Sequence, residues 1–60
     1  SYIGKIGIAD TPLRPSGVVT IDGMRVDAQS QGDFITKGTK VIVTDVDGMK
    51  IIVKKCEEEI

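Results

Sequence analysis

In a chain of 60 residues, the search for chemistry starts from a gap: there is no histidine. The usual acid–base group at neutral pH and the commonest metal ligand are both missing, and no serine can be activated through a Ser-His-Asp arrangement. The carboxylates are taken up by structure. Asp22 and Asp47 each precede a glycine in a turn pattern, and Asp27 alternates outward on the same strand as Arg25. A hydrolytic carboxylate pair needs at least one acid in an apolar pocket, and none of these positions offers one. Asp45, Asp47 and Gly48 hint at oxygen ligands, but the remaining spacing of a calcium-binding loop, with its closing glutamate, is absent. Cys56 is the single cysteine, which excludes an internal disulfide and a multi-cysteine metal site. Beside Glu57, Glu58 and Glu59 it reads as a free surface thiol, not a reactive one. No catalytic, cofactor or metal residue is assigned, and the chain reads as no enzyme.

The elements that would position any side chain are easier to read. Hydrophobic residues are 40% of the chain, yet Tyr2 and Phe34 are its only aromatics, so the core must come from Val, Ile, Leu, Met and Ala. That β-branched material suits a sheet. Tyr2 to Ala9 predicts a first strand interrupted by Gly4 and Gly7. Pro12 and Pro15 then stiffen a corner from Asp10 to Ser16, with Gly17 the one unrestricted backbone nearby and Leu13 capping the core. Gly17 to Ile21 and Met24 to Ala28 flank Asp22-Gly23, a strong hairpin signal. On the return strand Met24, Val26 and Ala28 are expected on one buried face.

Phe34-Ile35 follows as an isolated apolar pair, expected to plug an open end of the core. Lys40 to Val46 predicts a fourth strand, Asp47-Gly48 a second hairpin turn of the same kind, and Met49 to Lys54 a fifth strand with Met49, Ile51 and Val53 inward. The segments 21–26 and 46–51 echo one another residue type by residue type. Five short strands without a helical period favour closure, because a flat sheet of this size would expose two edges and a whole face. The expectation is an all-β, five-stranded OB-type barrel without the usual helix between strands. Residues 1–55 form one domain in this reading, and 56–60 a flexible acidic tail.

An OB-type barrel raises single-stranded nucleic acid as a ligand. That mode wants stacking aromatics and a positive groove, whereas strands two and three carry no aromatic residue and the formal net charge is −1. A nucleic-acid-binding module is therefore kept only as the alternative. A biotinyl or lipoyl carrier is also suggested by Gly32 to Gly38 and Met49-Lys50, but the order of the two segments is reversed from that of such carriers and Ile51 replaces the second methionine.

Gly4-Lys5-Ile6-Gly7, the run Thr11 to Gly17, Val19 to Gly23, Arg25-Val26-Asp27-Ala28 and Ile35-Thr36-Lys37-Gly38 together resemble the C-terminal soluble domain of NfeD-family membrane proteins. The resemblance covers residues 4 to about 54 and departs at Val26, where an aromatic is common in the family. It implies an OB-type barrel hung from a membrane-spanning region outside this chain, on the cytoplasmic side. It further implies a stomatin- or flotillin-like partner and a role in membrane protein quality control or membrane protease regulation. Longer relatives carry a Clp-like serine protease region whose residues lie outside this domain. The start at Ser-Tyr-Ile rather than methionine fits a piece of a longer protein. Arg14, Arg25 and Lys37 are the candidate partner contacts, with Arg14 alternatively bracing the corner through hydrogen bonds to carbonyls.

Overall fold

The computed structural model describes residues 1–57. Its five strands are β1 (Ile6–Ala9), β2 (Ser16–Ile21), β3 (Met24–Ser30), β4 (Lys40–Asp47) and β5 (Lys50–Lys55), with no helix among the described residues. They close into a barrel in the order β1-β2-β3-β5-β4. All neighbours are antiparallel except β3 and β5, which run parallel where Ala28, Gln29 and Ser30 face Ile51, Ile52 and Val53. That parallel seam closes the ring, and it explains why β3 continues past the expected end at Ala28. Ser30 is buried, its amide donates to Pro15 O at 2.8 Å, and its hydroxyl donates to the Asp33 carbonyl. The first strand is shorter than expected: Lys5 N–H donates to Tyr2 O at 2.9 Å, so the chain turns before Ile6.

The core comprises Ala9, Leu13, Val19, Ile21, Ala28, Ile35, Val41, Val43, Ile51 and Val53. Leu13 caps it as anticipated, but through a device that the prolines do not reveal. Leu13 and Ile35 form an isolated antiparallel bridge, with N–H···O bonds of 2.8 and 3.2 Å in the two directions. Both side chains are fully buried. Antiparallel alternation sends their neighbours the other way, so of the Phe34-Ile35 pair only Ile35 enters the barrel and Phe34 lies outside, half exposed. Gly17 also has a different reason from the expected one. A Cβ there would lie 2.5 Å from Leu13 Cδ2 and from Thr11 Oγ1, so the site is reserved for the capping leucine, not for a special φ.

The two hairpins carry the same dipeptide and turn differently. In the first, Ile21 pairs with Met24, leaving Asp22 and Gly23 as central residues with φ of 53° and 78°, the pattern of a type I′ turn. In the second, Asp47 pairs with Lys50, so the central residues are Gly48 and Met49, with positive φ only at the glycine, as in type II′. An irregularity between Val43 and Asp45 leaves Thr44 without a ladder partner, and its hydroxyl donates to Ile52 O at 3.3 Å. The displaced turn puts Met49 in solvent at 99% exposure, although an inward position was expected. Met24 is likewise exposed instead of buried, because β5 reaches β3 only from Ala28 onward and leaves the hairpin end uncovered. At the other end of β5, Cys56 N–H donates to Lys40 O at 2.9 Å, while 58–60 of the expected tail lie outside the described residues.

The division of the Phe34-Ile35 pair is directly measurable. Ile35→Ala should cost about 2–5 kcal/mol as a buried large-to-small change. Phe34→Ala should cost no more than about 1 kcal/mol, the range of an exposed aromatic contact. Urea unfolding of both variants checks this, and equal losses would return Phe34 to the core.

Candidate functional site

β1 is built inside out. Gly7 and Ala9 face the core, while Ile6 and Ile8 face outward at 45% and 44% exposure. Lack of room is the cause: a Cβ on Gly7 would stand 2.7 Å from Ile21 Cγ1 and from Thr20 O. The bulk of the strand, Ile6 and Ile8, stands on the outer wall. Across from Ile6 on β4 is Ile42, which alternates outward between buried Val41 and Val43, and beyond Ile42 on β5 is Lys54. Directly opposed residues place their Cβ atoms about 4.5–5.5 Å apart, so Ile6 and Ile42 touch, with Ile8 the next outward residue along β1.

Ile42 also lines an open groove of about 670 Å³ with Asp33, Phe34, Lys54, Lys55, Cys56 and Glu57. At Phe34 the groove meets Arg14, whose guanidinium carbon lies 4.9 Å from the ring centroid. The Leu13–Ile35 bridge makes this pair, since Arg14 and Phe34 are its outward neighbours. The Arg14 side chain thus stacks on an aromatic face instead of bracing carbonyls. Exposed stacks of this kind are worth about 0.5–1 kcal/mol.

The three cations singled out in the sequence do not converge. Arg14 stands over Phe34. Arg25 is ion-paired through Nε to Asp10 Oδ2 at 2.7 Å, not matched to Asp27. Lys37 lies in the turn before β4 and makes no ion pair among the described residues. The apolar wall was missed because isoleucine in a β pattern reads as core. The one sequence signal for its true direction was Gly7 and Ala9 in the alternate positions.

A second ion pair braces the other side of the wall. Lys5 Nζ donates to Asp22 Oδ2 at 2.8 Å, tying the start of β1 to the first hairpin turn. The hydrogen bond to Asp22, followed by the charge of that carboxylate, holds the lysine above its ordinary 10.5. For chemistry the inventory is thin: Ser30 is the one buried polar side chain among the described residues, and its hydroxyl is spent on the Asp33 carbonyl. No group of three metal-ligating side chains occurs among the described residues.

Comparisons with known proteins point to binding. The family model described as the NfeD-like C-terminal, partner-binding domain matches residues 1–55. Membrane protein NfeD1b of Bacillus subtilis (strain 168) is 51% identical over 53 residues, which are 88% of this chain and 12% of the relative. The chain thus spans about an eighth of that protein's length. Among solved structures, the C-terminal domain of stomatin operon partner protein 1510-C from Pyrococcus horikoshii superposes with a TM-score of 0.91 at 36% identity, covering 95% of this chain and 91% of its own.

The Lys5–Asp22 pair gives a pH test. Because the folded lysine is raised, its contribution is complete below 10.5 and is lost as pH rises through the raised value. Asp22→Asn keeps a side chain that tolerates positive φ and should return Lys5 toward 10.5. An NMR titration of the Lys5 side chain reads this, and an unchanged midpoint would show that the pair does not persist in solution.

Proposed function

The chain belongs to the NfeD family as its C-terminal, partner-binding domain, and from this we propose that it is a non-catalytic adaptor that docks on a stomatin- or flotillin-like membrane protein. The observation carrying the proposal is the near-complete superposition on the C-terminal domain of a stomatin operon partner protein. In this reading the barrel is held at the membrane by a region outside this chain, on the cytoplasmic side. It links the partner to membrane protein quality control or membrane protease regulation, and any protease activity resides elsewhere in the polypeptide. The barrel comprises residues 1–55 as one binding unit, followed by an acidic tail.

The alternative of single-stranded nucleic acid gains one point from the structure, since Phe34 is exposed after all. It loses more. Arg14 already covers one face of that ring, and the proposed binding strands β2 and β3 offer no second aromatic for a neighbouring base.

Titrating the isotope-labelled chain with the stomatin-like protein of the same organism, held in nanodiscs, tests the adaptor reading. Saturable, localised chemical-shift changes are expected. No perturbation would overturn the reading. Comparable changes with an oligonucleotide, weakening steeply with salt, would favour the alternative.

A further inference from the structure

The adaptor reading leaves open which surface meets the partner. Resting on that reading, we propose that the partner is received on the outer wall of β1 and β4, where Ile6, Ile8 and Ile42 take an amphipathic segment whose carboxylate is held by Lys54.

Three observations converge on this wall. The first is the reversed polarity of β1. An outward strand face in a small barrel is ordinarily the polar one, yet here glycine and alanine point in and two isoleucines point out. The narrow interior explains why Gly7 must be small. It does not explain why positions 6 and 8 are isoleucine instead of threonine or lysine, which would fit the same outer wall. The second observation is continuity. Ile42 abuts Ile6 across the ladder and also lines the groove beside Phe34, so the apolar surface continues from β1 into a concave site. Of the other large exposed apolar residues, Ile3 precedes β1 and Met24, Val46 and Met49 lie at the ends of the two hairpins.

The third observation is charge. Lys5 and Arg25 are neutralised within the chain by Asp22 and Asp10. Lys54, directly opposite Ile42, makes no ion pair among the described residues. An unpaired ammonium at the edge of an apolar stripe fits a partner segment with apolar residues on one face and a carboxylate beside them. Asp33 and Glu57 line the same groove as Lys54 and Lys55, and that mixed charge argues against an anionic lipid surface as occupant. The Arg14–Phe34 stack borders the same groove and gives the segment a flat, partly cationic shoulder.

The test uses Ile8→Asp and Lys54→Glu in this chain, with Asp27→Asn as a control on β3, which pairs with neither β1 nor β4. Both wall residues are exposed, so each variant should keep its thermal transition, and this is checked first. Against the same stomatin-like protein in nanodiscs, the wild-type chain should bind. Ile8→Asp should weaken binding by about tenfold or more and Lys54→Glu by about fivefold, the range of interface residues that matter, while Asp27→Asn stays within about twofold. If the wild type binds and both wall variants bind equally well, the wall is not the site and the adaptor reading survives. If the wild type does not bind, both fall together. Sedimentation showing a dimer that Ile8→Asp dissociates, with partner binding unchanged, would assign the wall to a second copy and also overturn the proposal.

Discussion

The architecture depends on one backbone bridge. Leu13 and Ile35 come from two loops that would otherwise be free to drift, and their paired N–H···O bonds tie the corner between β1 and β2 to the segment between β3 and β4. Each strand has at most eight residues, so the barrel has little length over which to bury side chains. Without a plug, the interior would be open to water at that end. Two fully buried aliphatic side chains supply the plug, and a missing Cβ at Gly17 makes room for one of them. The same bridge dictates what stands outside: alternation turns Arg14 and Phe34 into solvent, where they stack.

Narrowness is the second constraint, and it propagates outward. A five-stranded ring has an interior too small for large residues from every strand, so β1 contributes Gly7 and Ala9, and β3 contributes Ala28. β2, β4 and β5 fill the remaining space with Val19, Ile21, Val41, Val43, Ile51 and Val53. The small-in, large-out pattern of β1 follows from packing density, since interiors tolerate little overfilling. The rule decides which positions of β1 face out, those of Ile6 and Ile8, but not that they are apolar.

These relations explain which parts of the fold were legible. The closed all-β barrel could be read because Asp22-Gly23, the β-branched runs and the absence of a helical period all agree. The second turn could not be read correctly from Asp47-Gly48, because turn type depends on register. The irregularity at Thr44 shifts that register by one, through pairing with a strand that the dipeptide does not see. Phe34 and Ile35 present the same difficulty on a smaller scale. Both are apolar, and which one enters the core is decided by the partner of Ile35 across the bridge, 22 positions away in sequence. The candidate site was the least legible part. Arg14, Arg25 and Lys37 stand out as charges, yet their surroundings differ completely, and the contiguous apolar wall exists only once β1 lies beside β4.

Closure also limits how such a domain can bind. An open sheet can recruit a partner by adding a strand, with main-chain hydrogen bonds giving affinity. Here the ring order leaves each of the five strands a neighbour on both sides, so over the paired segments that route is closed. Recognition then falls to side chains, and a rigid β wall presents them at fixed spacing with little ordering cost on association. Side chains chosen for packing would give a polar exterior; side chains chosen for docking need not. Ile6, Ile8 and Ile42 occupy positions where solubility alone would place polar residues, and a closed ring that must bind by its exterior gives those residues a reason to be apolar.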